Sequence, residues 1–203
     1  MFDSDIQRES GPDLRRRTFL GAVGAALGGA ALWSLRKPHG VRALAAAVSS
    51  KPPEQVTIVE FSDSGQPLRT SRIAKVVKSE GEWRKQLSEN AFDITRLADT
   101  EMAFSGKYWN LRDQGIYRCI CCDNALFSSR TKFESGTGWP SFWAPIAKEN
   151  VTEVRDDSLG MARTAVSCTE CDAHLGHVFD DGPQPTGLRY CMNSAALRFV
   201  KAA

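Results

Sequence analysis

The sequence predicts a mainly β fold, and three observations lead to this prediction. After Gly106 the chain consists of short runs of alternating apolar and polar residues separated by Gly and Asp turns, which is typical of antiparallel strands. Ahead of these runs, two short stretches carry helix signals. Four cysteines in two CxxC pairs point to a metal site. A chain of 203 residues suits one well-cored domain and a leader, and we place the domain at residues 79–203.

The first 47 residues differ in composition from the rest of the chain. Arg16-Arg17-Thr18-Phe19-Leu20 matches the pattern arginine-arginine-x-phenylalanine-leucine, and an uncharged, glycine-containing run continues to Leu35. This resembles a twin-arginine export signal, and Ala45-x-Ala47 offers a small-residue cleavage site. We expect residues 1–47 to be a signal peptide and the protein to be periplasmic, meeting the membrane only through that signal. An uncleaved membrane anchor is the alternative.

The charge of the chain gives no indication of nucleic acid binding. The formal net charge of +2 belongs to the leader, because 19 basic and 20 acidic side chains remain after residue 47. Residues 48–78 are predicted to be a linker or tether, because turn formers dominate and only Val56–Phe61 has the pattern of a short strand. We assign no chemistry to this stretch.

Two short helices are predicted at the start of the domain. Ser79 and Glu82 have the spacing of a capping box, and Trp83 and Leu87 lie four residues apart on one helical face. A second short helix is predicted around residues 88–97.

The two CxxC pairs predict a structural metal site. Cys119-x-x-Cys122 and Cys168-x-x-Cys171 are separated by 45 residues, and each pair can present two sulfurs to one point. We expect one Zn²⁺, with iron as the chemical alternative for the same geometry. A closed four-thiolate site stabilises a fold and leaves no open coordination position. Two disulfides or a redox CxxC are the competing interpretation, which an exported location would favour.

Cys191 is the cysteine whose neighbours suit a nucleophile. Arg189 and Asn193 lie two residues to either side, and in an extended strand all three side chains would share a face. A guanidinium favours the thiolate, which is the nucleophilic form of the side chain. A buried structural cysteine is the alternative.

Three longer motifs extend this pattern. In order along the chain they are Glu134-Ser-Gly-Thr-Gly-Trp-Pro-Ser-Phe-Trp143, His174-Leu-Gly-His-Val-Phe-Asp-Asp181 and Arg189-Tyr-Cys-Met-Asn-Ser194. Together with the CxxC pairs they resemble the B-type peptide methionine sulfoxide reductases, which are selective for the R epimer, over about residues 80–200. The resemblance implies a small antiparallel two-sheet domain with short N-terminal helices and a structural zinc site formed by the four cysteines. It also implies oxidised protein or peptide substrates, and hence protein repair under oxidative stress.

The resemblance implies a role for seven residues. Cys191 would be the nucleophile, and Arg189 would help to lower its pKa. The remaining catalytic residues would be His177, His174 and Asn193, and the substrate-binding residues would be Trp139 and Phe179.

Sulfoxide reduction needs a soft nucleophile at sulfur and an acid for the departing oxygen. Only His174 and His177 follow the leader; we favour His177 as the acid, and the role of His174 stays open. The indole of Trp139 suits a methyl group on a polarised sulfur, and core packing is its alternative role.

Thr137 is the main departure from the family pattern, because many members carry a resolving cysteine there. After oxygen transfer Cys191 would be a sulfenic acid that must be reduced before the next turnover. We expect an external thiol reductant, thioredoxin-like or glutaredoxin-like, with Cys121 as the alternative resolving thiol. A non-enzymatic zinc-knuckle binding module and a CxxC thiol–disulfide oxidoreductase are the rival functions. We expect a monomer.

Overall fold

The computed structural model describes residues 52–156 and 163–202. The predicted signal peptide, residues 1–47, lies outside the described residues. The described part contains two α-helices, α1 (Glu80–Gln86) and α2 (Glu89–Leu97). Its eleven strands are, in chain order, β1 (Gln55–Phe61), β2 (Pro67–Ala74), β3 (Gly115–Cys119), β4 (Ala125–Ser128), β5 (Lys132–Phe133), β6 (Ser141–Phe142), β7 (Val151–Asp156), β8 (Arg163–Cys168), β9 (His174–Phe179), β10 (Arg189–Met192) and β11 (Leu197–Lys201).

The strands form antiparallel sheets, which confirms the predicted fold class. A six-stranded sheet has the order β5-β6-β10-β9-β8-β7, and a three-stranded sheet has the order β11-β3-β4. These two sheets belong to the predicted domain, and β1 and β2 form a separate two-stranded sheet. In the six-stranded sheet β10 lies between β6 and β9, so its side chains have neighbours on both sides.

Both helices begin where the sequence predicts. The capping box is present at α1, where the Ser79 Oγ accepts from the Glu82 N–H and the Glu82 carboxylate accepts from the Ser79 N–H. Ser88 caps α2 by accepting from the Ala91 N–H at 3.2 Å. Trp83 is buried, in agreement with a core role. Neither helix among the described residues is long and apolar enough to cross a membrane.

Side chains from both large sheets fill one aromatic core. Phe127 of β4 stacks on Phe142 of β6 with ring centroids 4.5 Å apart, and Tyr117 of β3 meets Phe142 edge-on at 5.0 Å. Tyr190 of β10 also contacts Phe127. Because Tyr190 and Met192 face this core, the alternating side chain of Cys191 projects from the opposite face of the sheet.

The stretch predicted to be a tether is instead a docked hairpin. The prediction of a short strand at Val56–Phe61 agrees with β1, but residues 67–74 form a second strand that pairs with it in antiparallel register. The sequence of β2 carries little apolar alternation, since six of its eight residues are exposed and its middle is the polar run Arg69-Thr-Ser-Arg72. Its pairing is instead supported by Arg69 and Ser71, which both donate to Glu60. Such a strand has no hydrophobic pattern for sequence reasoning to detect.

Asn150 attaches this hairpin to the domain. Its side chain is fully buried, accepts from the Val59 N–H at 2.8 Å, and donates to the Val59 and Ala125 carbonyls at 2.8 and 2.7 Å. A second link joins the Val76 N–H to the Glu170 carbonyl at 2.8 Å. The side-chain amide of Asn150 therefore makes the hydrogen bonds to the backbone of β1 that a neighbouring strand would otherwise make.

We expect Asn150→Ala to lower the free energy of unfolding by about 3 kcal/mol, because three backbone groups lose their partner. Urea unfolding followed by circular dichroism measures this change. Asn90→Ala, on the exposed surface of α2, is the matched control and should change stability by less than about 0.5 kcal/mol. A loss for Asn150→Ala that is no larger than that of the control would contradict the role assigned to this amide.

Candidate active site and metal centre

Cys191 lies in the middle strand of a three-strand segment of the large sheet. Within β10 it stands directly opposite Ser141 of β6 and His177 of β9. Side chains in such cross-strand positions are direct neighbours. Gly176, next to His177, permits this close pairing, because a Cβ there would come within 2.1 Å of the Cys191 carbonyl oxygen. The sheet register therefore brings the predicted nucleophile and the predicted acid together.

A chain of hydroxyl groups surrounds the sulfur of Cys191. The Thr137 Oγ1 lies 3.9 Å from the Cys191 Sγ, and the Ser135 Oγ lies 2.8 Å from both the Thr137 Oγ1 and the Ser141 Oγ. Ser135 and Ser141 were not predicted as site residues, although both lie in the motif around Trp139. Thr137 occupies the position from which a thiol would reach Cys191, and its hydroxyl cannot form a disulfide.

The pKa of the Cys191 thiol is raised above its usual value. Burial is the largest cause and outweighs the lowering effects of the Thr137 hydroxyl, the Arg189 charge and the Ser141 hydroxyl. Arg189 thus acts in the predicted direction, but the net pKa moves the opposite way. Sequence spacing indicates a neighbouring charge and cannot indicate the degree of burial, which decides the net shift.

The guanidinium of Arg189 is held on two sides. Its Nε and Nη2 donate to the two carboxylate oxygens of Asp181, each at 2.8 Å, and this ion pair lowers the pKa of Asp181. The guanidinium also lies 4.3 Å from the ring centroid of Phe179, its cross-strand partner. A paired and stacked guanidinium has a defined position beside Cys191.

His177 is oriented by an acid that the sequence did not reveal. Its Nε2 lies 3.0 Å from the Asp156 Oδ2, and the Arg163 Nη2 lies 3.1 Å from the same oxygen. Asp156 ends β7 and is brought to His177 only by the pairing of β7, β8 and β9. Asp156 and His177 are 21 residues apart, and no helical or strand periodicity links positions at that distance. The sequence alone therefore could not identify Asp156 as the partner of His177.

His174 differs from His177 in its surroundings. It is buried, and burial together with the neighbouring His177 lowers its pKa to about 4. Its Nε2 has no hydrogen-bond partner among the described residues. The two rings meet nearly edge-on with centroids 5.3 Å apart. His174 is therefore neutral at pH 7, and its ring packs against that of His177.

A pocket of about 160 Å³ opens over the sulfur. It brings together five of the predicted residues, whereas His174 and Arg189 are not part of its described lining. The described lining residues are Thr100, Trp139, Arg163, Gly176, His177, Phe179, Cys191 and Asn193. The Trp139 Nε1 donates to the Glu101 carbonyl at 3.1 Å, which holds the indole at the pocket wall. A larger cavity of about 550 Å³ beside both helices has no cysteine or histidine in its described lining.

Asn193 is buried directly after β10. Its side chain donates to the Leu175 carbonyl at 3.2 Å and accepts from the Glu101 N–H at 3.0 Å. These bonds use its amide to fix the backbone around the pocket.

The four cysteines of the CxxC pairs form one cluster, with all sulfurs within 4.8 Å of one another. The Sγ atoms of Cys119 and Cys171 are 3.7 Å apart, and those of Cys122 and Cys168 are 3.6 Å apart. Tetrahedral Zn–S bonds of about 2.3 Å place sulfurs about 3.8 Å apart, whereas a disulfide requires about 2.05 Å. The donor set and its spacing therefore fit a metal ion held by four thiolates, and no disulfide joins any of the described cysteines.

The same turn shapes both halves of this cluster. Asp123 and Asp172 adopt left-handed backbone conformations, with φ of 70° and 56°. Their N–H groups donate to the carbonyls of Cys119 and Cys168 at 3.0 and 2.9 Å. Each turn brings back the second cysteine of its pair, which explains the CxxC spacing. Cys121 lies in the first turn, but its sulfur faces α2, 3.5 Å from the Thr95 Oγ1.

The fold and the site define a β-sheet protein with a cysteine–histidine pocket and a four-cysteine cluster that fits a metal ion. The sequence profile of the SelR domain matches residues 87–201. The chain therefore belongs to the SelR family, which confirms the predicted class, the B-type methionine sulfoxide reductases. The profile begins at residue 87, so the hairpin of β1 and β2 lies outside the matched range.

Curated relatives support the same family. The chain is 56% identical over 128 residues to "Peptide methionine sulfoxide reductase MsrB" of Hahella chejuensis, covering 63% of this chain and 92% of the relative. Proteins with the same name from Herminiimonas arsenicoxydans and Pseudomonas fluorescens Pf0-1 are 56% and 57% identical, over 125 and 128 residues. These alignments cover 62% and 63% of this chain and 91% and 98% of the respective relatives.

Proposed function

We propose that the protein reduces peptide-bound methionine (R)-S-oxide to methionine, with Cys191 as the nucleophile. The observation that carries this proposal is the pairing of Cys191 with His177 in one pocket whose wall includes the indole of Trp139. The names of the relatives support the reaction class.

The first step transfers oxygen from the substrate to Cys191. The thiolate attacks the sulfoxide sulfur and forms a sulfur–sulfur bond while His177 gives a proton to the sulfoxide oxygen. The hydroxyl then moves from the substrate sulfur to the Cys191 sulfur, as the sulfur–sulfur bond breaks and its electron pair returns to methionine. The products are methionine and Cys191 sulfenic acid, so the substrate sulfur is reduced and the cysteine is oxidised. Because the Cys191 pKa is raised, the thiol is mostly protonated in the free enzyme at pH 7. Its proton must leave as the substrate binds.

The contacts of His177 support its role as the acid. Its Nε2 lies 3.0 Å from the Asp156 Oδ2, which orients the imidazole in the pocket, and we assign the transferable proton to the other ring nitrogen, Nδ1. His174 is neutral at pH 7 because of its lowered pKa, so it suits an orienting role.

Trp139 and Phe179 form the apolar part of the pocket. We propose that the indole of Trp139 receives the methyl group and that Phe179, held under the guanidinium of Arg189, contacts the substrate chain. Arg189 and Asn193 place the nucleophile, through the ion pair with Asp181 and the bonds to Leu175 and Glu101.

An external thiol completes the proposed cycle. It condenses with the sulfenic acid to a mixed disulfide and water, and a second thiol releases Cys191 and forms the external disulfide. Thr137 supports this route, because the residue nearest to the sulfur on that side is not a thiol. Cys121 is a weaker candidate, because its buried sulfur faces Thr95 and α2. The donor would be a thioredoxin-like or glutaredoxin-like protein.

The four-cysteine cluster would hold one structural Zn²⁺, which joins the ends of β3 and β8 and takes no part in the reaction.

We further propose that the protein is exported through a twin-arginine route to the periplasm. There it would act as a monomer that repairs oxidised proteins. A route that carries folded proteins would let the cysteines bind zinc before they meet an oxidising compartment. The sequence of the leader supports this location.

A single-turnover assay with separated R and S epimers of a methionine sulfoxide peptide tests the reaction. We expect about one methionine per enzyme from the R epimer alone, after which dimedone traps the sulfenic acid on Cys191. Cys121→Ser should behave like wild type, whereas Thr137→Cys should form an internal disulfide with Cys191 and lose the dimedone adduct. Reduction of neither epimer would refute the proposal and favour a binding module.

A further inference from the structure

Glu101 is a buried carboxylate in the segment between α2 and β3. Its side chain is only slightly exposed, at 8% for the residue. The Oε1 accepts from the Ser194 N–H at 2.6 Å and the Oε2 accepts from the Ala195 N–H at 3.0 Å. The carboxylate therefore occupies both free N–H groups at the start of the 3-10 turn Ser194–Ala196, which has no cap from the side chain of Asn193.

The backbone of the same residue contacts two walls of the pocket. Its N–H donates to the Asn193 Oδ1 at 3.0 Å, and its carbonyl accepts from the Trp139 Nε1 at 3.1 Å. The described pocket lining includes Thr100 but not Glu101 itself. Glu101 thus connects the indole of Trp139 to the chain that follows Cys191 without lining the pocket over the sulfur.

The segment around Glu101 is tightly packed against both partners. A Cβ at Gly106 would come within 2.4 Å of both the Glu101 Oε1 and the Ser194 Oγ. The Phe104 N–H donates to the Gly138 carbonyl at 2.8 Å, directly beside Trp139. A change in the position of this segment must therefore move the Trp139 loop, because no space separates the two.

We propose that Glu101 is a positioning residue that sets the distance between the Trp139 indole and the Cys191 sulfur, and thereby the specificity for a methyl sulfoxide. It acts through Trp139 and Asn193 and does not contact the substrate. This inference rests on the proposed function, because it assigns the methyl group to the indole.

Glu101→Gln tests the inference with a side chain of the same size. The amide nitrogen of the new side chain is a donor that faces a backbone N–H, so one of the two hydrogen bonds to the 3-10 turn is lost. The backbone of residue 101, whose carbonyl accepts from Trp139, is then held less firmly. We expect KM for the (R)-S-oxide peptide to rise about tenfold while kcat changes less than about threefold. The preference for the methyl over the ethyl sulfoxide, measured by kcat/KM, should fall about tenfold as well.

Glu82→Gln is the matched control, because Glu82 is also a capping carboxylate, at the exposed start of α1. It should lower stability slightly and leave KM and the methyl preference unchanged. Alkylation of Cys191 by iodoacetamide should stay within about twofold of wild type in both variants, because the groups that shift its pKa are unchanged.

Four results would overturn the inference. An unchanged KM and methyl preference in Glu101→Gln would show that the residue does not position the indole. An equal effect in Glu82→Gln would assign the change to general destabilisation. If Glu101→Gln lowered kcat and slowed the alkylation of Cys191 by the same factor, the substitution would act on Cys191 and not on Trp139. Inactivity of the wild-type chain toward both epimers would refute the proposed function, and this inference with it.

Discussion

Replacing Cys191 with serine is expected to lower the single-turnover rate of sulfoxide reduction by at least about ten-thousandfold. A serine hydroxyl is a poor nucleophile toward sulfur, and its pKa leaves almost no anion at neutral pH. The pocket, with His177, Asp156 and Trp139, would stay in place, because the substitution changes one atom on a half-buried side chain. Methionine formed from the (R)-S-oxide peptide, separated by chromatography, measures the loss.

The pH dependence of Cys191 alkylation in the wild-type protein is an independent measure of the reactivity of this thiol. Burial raises the pKa of Cys191 above its usual 9, so the thiolate fraction is small at pH 7 and grows as pH rises toward the pKa. Iodoacetamide labelling of Cys191, followed by mass spectrometry, should therefore accelerate about tenfold between pH 7 and pH 8 and continue to rise at pH 9. A rate that is already constant below pH 7 would contradict the raised pKa. A Cys191→Ser variant that keeps wild-type turnover would contradict the assignment of the nucleophile.

Loss of one cysteine of the four-cysteine cluster is expected to unfold the protein. Cys168 is fully buried at the end of β8 and its sulfur is 3.6 Å from that of Cys122. Binding of structural zinc contributes about 10–16 kcal/mol, whereas net domain stability is about 5–15 kcal/mol. Cys168→Ser should therefore lose its metal and its cooperative thermal transition. Metal analysis and a circular dichroism melt measure both effects.

Cys121→Ser is the matched control for this prediction, because Cys121 lies between two cluster cysteines but faces Thr95. It should keep about one metal ion per chain and a thermal transition within a few degrees of wild type. A wild-type protein with no metal and four fewer free thiols would support two disulfides instead. Intact folding of the metal-free Cys168→Ser variant would also contradict the structural role of the metal.

The predictions from sequence succeeded where the chemistry is local. The capping box at Ser79 and Glu82 involves residues three apart, and the CxxC turns involve residues within one turn of the backbone. The pairing of Cys191 with His177 is consistent with the family motifs that name both residues, although the register that makes them neighbours is a property of the sheet.

The predictions were incomplete where burial or distant polar contacts decide the outcome. The second hairpin strand is mostly exposed with a polar middle, and it is held through Glu60 in β1. The hairpin docks through Asn150, which is 91 residues from Val59. Asp156 and Glu101 are single acids without a motif, and each acquires its partners from strands or turns far along the chain. Nothing in a periodic pattern distinguishes such acids from exposed ones.

The sequence by itself determined the mainly β class, the two helix starts, the grouping of four cysteines and the family. These depend on residue type and short spacing, which act within one turn or one strand. Only the tertiary structure decided that burial raises the pKa of Cys191, that His174 is neutral, and that Asp156 and Glu101 hold the pocket. The reason is that desolvation and long-range hydrogen bonds depend on what the folded sheets place around each group.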